Sequence, residues 1–226
     1  MQTDIEYGPA YAVARVTLAG GERVKADGGA MLAMSTGTDI ETTTQGGALK
    51  GLKRSLLGGE SFFMNTFTAP PQGGHILFAP KLPGDIVVFP LAGETMYLTS
   101  GNYLASEESI DIDSQWGGAK TFFSRQGLFV LKVEGQGQVV AGSFGAIHAL
   151  DLQEGESYTV GTGHLVGWSG HIGYEVKKVG NWKSTLLSGE GLVAVLTGPG
   201  RVFIQTRSQE ALMHWIEDRL PQQTKS

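Results

Sequence analysis

The amino-acid sequence predicts an all-β protein: three tandem β-sandwich or short double-stranded β-helix units in a pseudo-threefold arrangement, followed by a short C-terminal helix. Three observations lead to this prediction. Glycine accounts for 34 of the 226 residues, about twice the usual ~7%, which suits short strands joined by tight turns. A Gly-Glu turn recurs three times, each time before a stretch of alternating apolar residues. Helical periodicity is clear in one segment, near the C-terminus.

Composition restricts the classes of function. Hydrophobic residues make up 41% of the chain, enough for a packed core, and the absence of cysteine excludes disulfides, thiolate metal sites and cysteine nucleophiles. A formal net charge of -5 and a pI of about 5.5 make nucleic acid an unlikely partner, because phosphate neutralisation needs clustered basic residues.

The first ten residues, MQTDIEYGPA, lack the basic and apolar regions of a signal peptide. No stretch of the sequence approaches the ~20 apolar residues of a membrane span. We therefore expect the protein in the cytoplasm.

The repeat consists of a Gly-Glu turn, a second glycine seven residues after the glutamate, and then a pair of bulky apolar residues. The turns are Gly21-Glu22, Gly93-Glu94 and Gly155-Glu156, the second glycines are Gly29, Gly101 and Gly163, and the apolar pairs are Met31-Leu32, Tyr103-Leu104 and Leu165-Val166. Between glutamate and second glycine, apolar residues alternate as in a half-buried strand, for example at Met96 and Leu98.

The repeat divides one compact domain into units spanning 4–72, 73–136 and 137–206, followed by a tail spanning 207–226. Each unit is nearly all strand. A period above ~50 residues argues against a thin-coil solenoid, and three units suggest closure around a pseudo-threefold axis.

Two segments have helical character. In the tail, Ser208 can cap a helix, Leu212, Trp215 and Ile216 form an apolar stripe, and Pro221 can end it. The other segment is 48–59, with Lys50, Lys53 and Arg54 among leucines. It is either an amphipathic surface that touches a membrane or partner, or a loop or short helix with its charges in water, which is the favoured interpretation.

The stretch GGALKGLKRSLLGGESFFMNTFTA (46–69), together with PGDIVV and GNYLAS downstream, resembles the family whose eukaryotic members are named for altered inheritance of mitochondria. The resemblance covers nearly the whole chain. It implies a fold similar to the subunit of the tryptophan RNA-binding attenuation protein, and self-assembly of three chains into a ring of nine units. It implies no established enzymatic activity. No residues match those that contact RNA or tryptophan in the attenuation protein.

Cupins, enzymes with related β-helical folds, provide a test for a metal site. Their second motif has the same spacing between glycines and a metal-binding histidine three residues after the second glycine. Here that position holds Leu32, Leu104 and Val166, none of which has a ligating atom. We therefore predict no metal and no cofactor.

Two weaker candidate sites remain. Glu22, Glu94 and Glu156 could bind a cation if they converge, but solvated strand starts after left-handed glycine turns are the favoured interpretation. His164, Trp168 and His171 could surround a small pocket, although a structural or surface role is favoured.

The leading hypothesis is a non-enzymatic, ring-forming scaffold or interaction module that binds itself as a homotrimer and an unknown protein partner. One alternative is a small-ligand-binding or cupin-like enzyme without the usual metal site. The other is peripheral membrane association through 48–59, which is less favoured.

Overall fold

A computed structural model describes residues 1–44, 63–113, 129–178 and 192–220. These residues form nineteen β-strands and one α-helix, so the all-β prediction with a short C-terminal helix is confirmed. The strands fall into three successive groups of six that share one pattern of pairing, and we call these groups the first, second and third repeats.

The first repeat follows an additional N-terminal strand, β1 (Gln2–Glu6). Its strands are β2 (Val13–Leu18), β3 (Arg23–Asp27), β4 (Met31–Met34), β5 (Asp39–Thr44), β6 (Phe63–Thr68) and β7 (Gly74–Phe78). Those of the second repeat are β8 (Ile86–Ala92), β9 (Met96–Thr99), β10 (Tyr103–Glu107), β11 (Asp111–Asp113), β12 (Val130–Glu134) and β13 (Gln136–Gly142). Those of the third repeat are β14 (Ile147–Leu152), β15 (Ser157–Gly161), β16 (Leu165–Ser169), β17 (Gly173–Lys178), β18 (Leu192–Thr197) and β19 (Gly200–Gln205).

Within each repeat the same four antiparallel pairings occur. The sixth strand pairs with the first and the third, and the fifth strand pairs with the second and the fourth. Consecutive repeats are then joined by pairing the second strand of one with the third strand of the next: β3 with β10, and β9 with β16. We call each of these pairings a junction.

The hydrogen-bonding pattern moves the limits of the repeats. Strand β7 (Gly74–Phe78) pairs with β2 and β4, so the first repeat extends beyond the boundary at 72 predicted from the sequence. Likewise β13 pairs with β8 and β10, although the boundary at 136 assigned nearly all of it to the third unit. The spacing of the Gly-Glu turns marks where a repeat recurs, but it does not show which strands pair.

The three repeats stand in series in the chain. In the described part, sheet pairing joins the first repeat to the second and the second to the third, whereas β4 pairs with β7 alone and β15 with β18 alone. This arrangement differs from the predicted closure of one chain on itself, and a pseudo-threefold axis within the chain stays a prediction.

Alternation of side chains explains the individual strands. In β2, Ala14, Val16 and Leu18 are buried, whereas Thr17 between them is exposed, as expected for a strand with one face on the core. The core consists of three clusters, and each draws residues from neighbouring repeats. Leu104 and Val140 of the second repeat, for example, pack with the first. Folding of one repeat therefore depends on its neighbour.

The C-terminal helix, α1 (Gln209–Glu217), begins where the sequence predicts. The hydroxyl of Ser208 accepts a hydrogen bond from the amide of Ala211 at 3.4 Å, which caps the helix. The predicted apolar stripe is only partly covered in the single chain: Leu212 and Ile216 are half-buried, Trp215 is exposed, and no residue of α1 is fully buried. Within the described residues, no helix is long and apolar enough to span a membrane.

Candidate functional site

The glutamates of the three Gly-Glu turns share one contact, and Glu22 also forms an ion pair with the amino group of Met1. Each carboxylate accepts a hydrogen bond from a backbone amide of its own turn: Glu22 from Ala19 at 2.9 Å, Glu94 from Ala92 at 2.8 Å, and Glu156 from Gln153 at 2.9 Å. The preceding glycines have left-handed backbone angles, with φ of 76° at Gly21, 109° at Gly93 and 77° at Gly155. Glycine adopts this conformation without a steric penalty, and the turn geometry accounts for the repeated dipeptide.

The second glycines are less alike. Gly29 has a φ of 93°, whereas Gly101 and Gly163 lie in short 3-10 turns. A Cβ atom on Gly163 would lie 2.6 Å from the Oγ atom of Ser208, so this glycine allows the start of α1 to approach closely.

The carboxylates are not arranged as a metal site. No group of three or more histidine, aspartate or glutamate side chains within the described ranges is placed to hold a metal ion. Glu22, Glu94 and Glu156 each belong to a separate turn, and the geometry does not support the alternative in which they share a cation.

The turn interpretation predicts the effect of replacing Glu94. Glu94→Ala should lower the free energy of unfolding by about 0.5–1 kcal/mol, because an exposed hydrogen bond to the amide of Ala92 is lost. The midpoint of thermal unfolding should not respond to calcium in either protein. Differential scanning calorimetry with and without calcium measures both effects, and Glu154→Ala, in an exposed part of the third turn, is the control. A calcium-dependent rise that disappears in Glu94→Ala would contradict the turn interpretation.

The histidines of the proposed small pocket do not come together. His164 directly precedes β16 and His171 follows it, so the two side chains lie at opposite ends of the strand. The Nδ1 atom of His164 donates to the carbonyl of Gln205 at 2.8 Å. Trp168 lies fully buried between them, with its ring 4.6 Å from that of Tyr174. These contacts agree with the favoured structural role, and His164 and His171 do not line one pocket together.

A buried polar cluster lies where the second repeat meets the third. The amide nitrogen of Asn102 donates to the carbonyl of Gly142 at 2.8 Å and to the Oε1 atom of Gln205 at 2.9 Å. The Nε2 atom of Gln205 donates to the carbonyl of Gly163 at 3.0 Å. A small cavity adjoins these groups. Because the amide groups have hydrogen-bond partners, the cluster fixes how the repeats fit together rather than offering free groups to a ligand.

The junction between the first and second repeats also contains polar side chains. The hydroxyl of Tyr103 donates to the carbonyl of Lys25 at 3.2 Å, and burial raises the pKa of this phenol. Burial also lowers the pKa of Lys25, whose ammonium group donates to the carbonyl of Ile110. These contacts connect β3 to the second repeat and are specific to this junction.

The third strands share a distortion that explains the repeated apolar pair. The pairing register shifts between Met31 and Ala33 in β4, between Tyr103 and Ala105 in β10, and between Leu165 and Gly167 in β16. In each case the second residue of the pair is the extra residue of a β-bulge. In β10 and β16 both residues of the pair are buried.

The same positions are exposed in the first repeat. Met31, Leu32 and Met34 are 36%, 61% and 37% exposed, whereas the equivalent residues of β10 and β16 are at most 4% exposed. These equivalents are Tyr103, Leu104 and Ser106 in β10, and Leu165, Val166 and Trp168 in β16. Strand β4 therefore carries the residues of a junction, but within the described residues it pairs with β7 alone and these side chains are left uncovered.

Strand β15 lacks the complementary pairing partner within the described residues. It is the second strand of the third repeat and pairs with β18, but no third strand of another repeat pairs with it in the part of the chain that the structure describes. Tyr158 is 44% exposed, whereas its equivalents Val24 and Met96 are at most 4% exposed. We call β4 and β15 the open edges. They correspond to the two halves of a junction.

The comparisons with known proteins identify the family. The model of the family described as mitochondrial biogenesis AIM24 matches residues 3–207. The chain belongs to the AIM24 family. This confirms the resemblance found in the sequence. The predicted likeness to the attenuation protein remains a prediction.

Two relatives of this AIM24 protein come from Streptococcus pyogenes. An uncharacterized protein of serotype M6 is 28% identical over 229 residues, covering 98% of this chain and 92% of that protein. The X-ray crystal structure of a protein from the same species has 27% sequence identity and a TM-score of 0.82, covering 97% of this chain and 99% of the other. The fold is thus shared along the full length with a protein of known structure.

Sequence reasoning located the turns but missed the open edges. The signal was present in the apolar pair Met31-Leu32, which matches two pairs that are buried. Because pairing is a long-range property, the sequence alone did not show that β4 has no junction partner among the described strands. The other proposed surface, with Lys50, Lys53 and Arg54, lies outside the described residues.

Proposed function

We propose that this AIM24-family protein is a non-enzymatic scaffold that assembles head to tail into a closed ring of three chains. The observation that carries the proposal is the pair of open edges, β4 and β15, at opposite ends of the row of repeats. Each edge is one half of a pairing that the chain already makes twice, at β3–β10 and β9–β16. A second copy of the chain supplies the missing half.

Joining the edges completes the sheets. In the single chain, one sheet has the order β15-β18-β17 and another has the order β1-β2-β7-β4, beside two six-stranded sheets. Pairing β15 with β4 of the next copy creates the strand order of the six-stranded sheets, with β1 as an additional edge strand. The assembly therefore needs no new type of contact.

The edges also differ from each other, which determines the symmetry. Pairing of two unlike surfaces gives a ring if the rotation closes and a filament if it does not. The number of three chains comes from the resemblance to the family. Exposed strand edges tend to pair with other chains, and closure leaves neither of these two edges open.

The internal junctions specify the register between chains. At the two junctions, Ala105 lies opposite Ala26 and Gly167 lies opposite Leu98. The equivalent residues of the open edges are Ala33 and Val160. We therefore expect Ala33 to lie opposite Val160 of the next chain.

A disulfide test checks this register, since the protein has no cysteine of its own. Chains with Ala33→Cys and chains with Val160→Cys are mixed and oxidised, and cross-linked dimers are expected on a non-reducing gel because directly opposite residues suit a disulfide. A mixture of Ala33→Cys with Ser157→Cys, displaced by three residues, is the control and should cross-link far less.

The mass of the unmodified protein tests the assembly itself. Light scattering at micromolar concentration should give about three times the chain mass of 24.0 kDa. A monomer that does not cross-link would overturn the proposal. Equal cross-linking in both mixtures would overturn the register.

A further inference from the structure

We infer that helix α1 seals the contact between neighbouring chains by packing over Leu32 of the next copy. This inference rests on the proposed ring and adds a surface that strand pairing does not include. It explains two exposed apolar features at opposite ends of one chain. The partner is a second copy of this protein.

The segment that follows the sixth strand of one repeat lies against the next repeat. After β7, Pro80 lies close to the end of β13 and to the third strand of the second repeat. A Cβ atom on Gly142 would lie 2.8 Å from the Cγ atom of Pro80 and 3.0 Å from the Cδ1 atom of Leu104. The segment leaving the first repeat therefore covers the end of the second.

The segment that follows β13 likewise lies against the third repeat. After β13, the amide of Phe144 donates to the Oε1 atom of Gln205 at 2.9 Å, at the end of β19. The amide of Arg207 donates to the carbonyl of Phe144 at 3.2 Å. In both cases, the segment leaving one repeat lies on the end of the sixth strand of the following repeat.

The third repeat ends with the same kind of segment. The segment leaving β19 is Thr206, Arg207 and Ser208, and it continues directly into α1. Ser208 packs against Gly163, in the turn between β15 and β16. In the ring, the following repeat is the first repeat of the next chain, which places α1 over the end of β7 and the neighbouring β4 of that chain.

The side chains at both places are apolar and uncovered. Met213 and Trp215 of α1 are exposed, and so is Leu32. The residues equivalent to Leu32 are Leu104, which lies near Pro80, and Val166, and both are buried. Mutual burial of α1 and Leu32 removes apolar surface from water in two chains at once.

We expect α1 to stabilise the contact between chains rather than the fold of its own chain. A chain that ends at Arg207 should need at least a tenfold higher concentration to assemble than the full chain. A chain that ends at Leu220 and keeps α1 is the control and should assemble like the full chain. Sedimentation velocity over a dilution series measures the change.

The same truncations are made in a chain with Met34→Asp, which is expected to be monomeric. There, removal of α1 should leave the midpoint of thermal unfolding unchanged within about 2 °C, because α1 has no buried residue in the single chain. A large fall would show that α1 stabilises its own chain and would overturn the inference.

The two proposals fail separately. If the full chain does not assemble, the proposed ring is wrong. If the full chain assembles and truncation at Arg207 leaves its concentration dependence unchanged, the ring stands and the role of α1 is wrong.

Discussion

Replacing Met34 by aspartate is expected to abolish assembly while leaving the fold of the single chain intact. Met34 is 37% exposed in the chain, whereas its equivalents Ser106 and Trp168 are fully buried at the two internal junctions. Assembly would bury the new carboxylate without a positive partner, which costs several kcal/mol. In the single chain the carboxylate remains partly in water, so the cost of folding is small.

A matched substitution separates the two effects. Ile40 lies on β5, which belongs to a different sheet from either open edge, and is 38% exposed. Ile40→Asp introduces the same charge at nearly the same exposure and should leave the mass of the assembly unchanged. Light scattering gives the mass of each variant, and circular dichroism confirms the β-structure. An assembled Met34→Asp protein, or a dissociated Ile40→Asp protein, would show that β4 is not the contact surface.

Local features were predictable from the sequence because their causes are local. Ser208 caps α1 through an amide three residues away, and the Gly-Glu turn requires a left-handed glycine with an acceptor next to it. The recurrence of this turn was also sufficient to predict a β-protein with repeated elements.

The failures have a common physical cause, which is long-range pairing. The boundary at 72 separated β7 from its partners β2 and β4, because a turn does not specify which strands will pair across it. Likewise, the exposed state of Leu32 depends on whether a second-strand partner pairs with β4, which the local sequence does not specify.

The repeats also show why an open edge can persist in a stable chain. Core clusters lie between repeats, so the second repeat is covered on both sides and the outer repeats on one side only. The apolar residues left uncovered, such as Leu32 and Tyr158, match positions that are buried elsewhere in the same chain. This match distinguishes them from scattered surface hydrophobic residues, which are common and carry no such implication.

The largest loss of stability is expected from Trp168→Ala. Trp168 is fully buried in β16, at the junction of the second and third repeats, and its ring lies 5.5 Å from that of Tyr97 in β9 and 4.6 Å from that of Tyr174 in β17. Truncation removes contacts with both repeats and leaves a cavity, which for tryptophan costs about 3–5 kcal/mol. Urea unfolding of a chain that also carries Met34→Asp gives this value without a contribution from assembly.

Two further substitutions identify the source of the loss. Trp168→Phe should lower the free energy of unfolding clearly less than Trp168→Ala, because an aromatic ring remains in the stack. It also removes the indole N–H, which has no hydrogen-bond partner within the described residues. Trp215→Ala should change the single chain by no more than about 0.5 kcal/mol, since Trp215 is 56% exposed. If Trp168→Ala and Trp215→Ala lowered the free energy of unfolding equally, the result would contradict the burial of Trp168. A large loss confined to Trp168→Ala would show that the junction between repeats, which the ring reuses between chains, stabilises the chain itself.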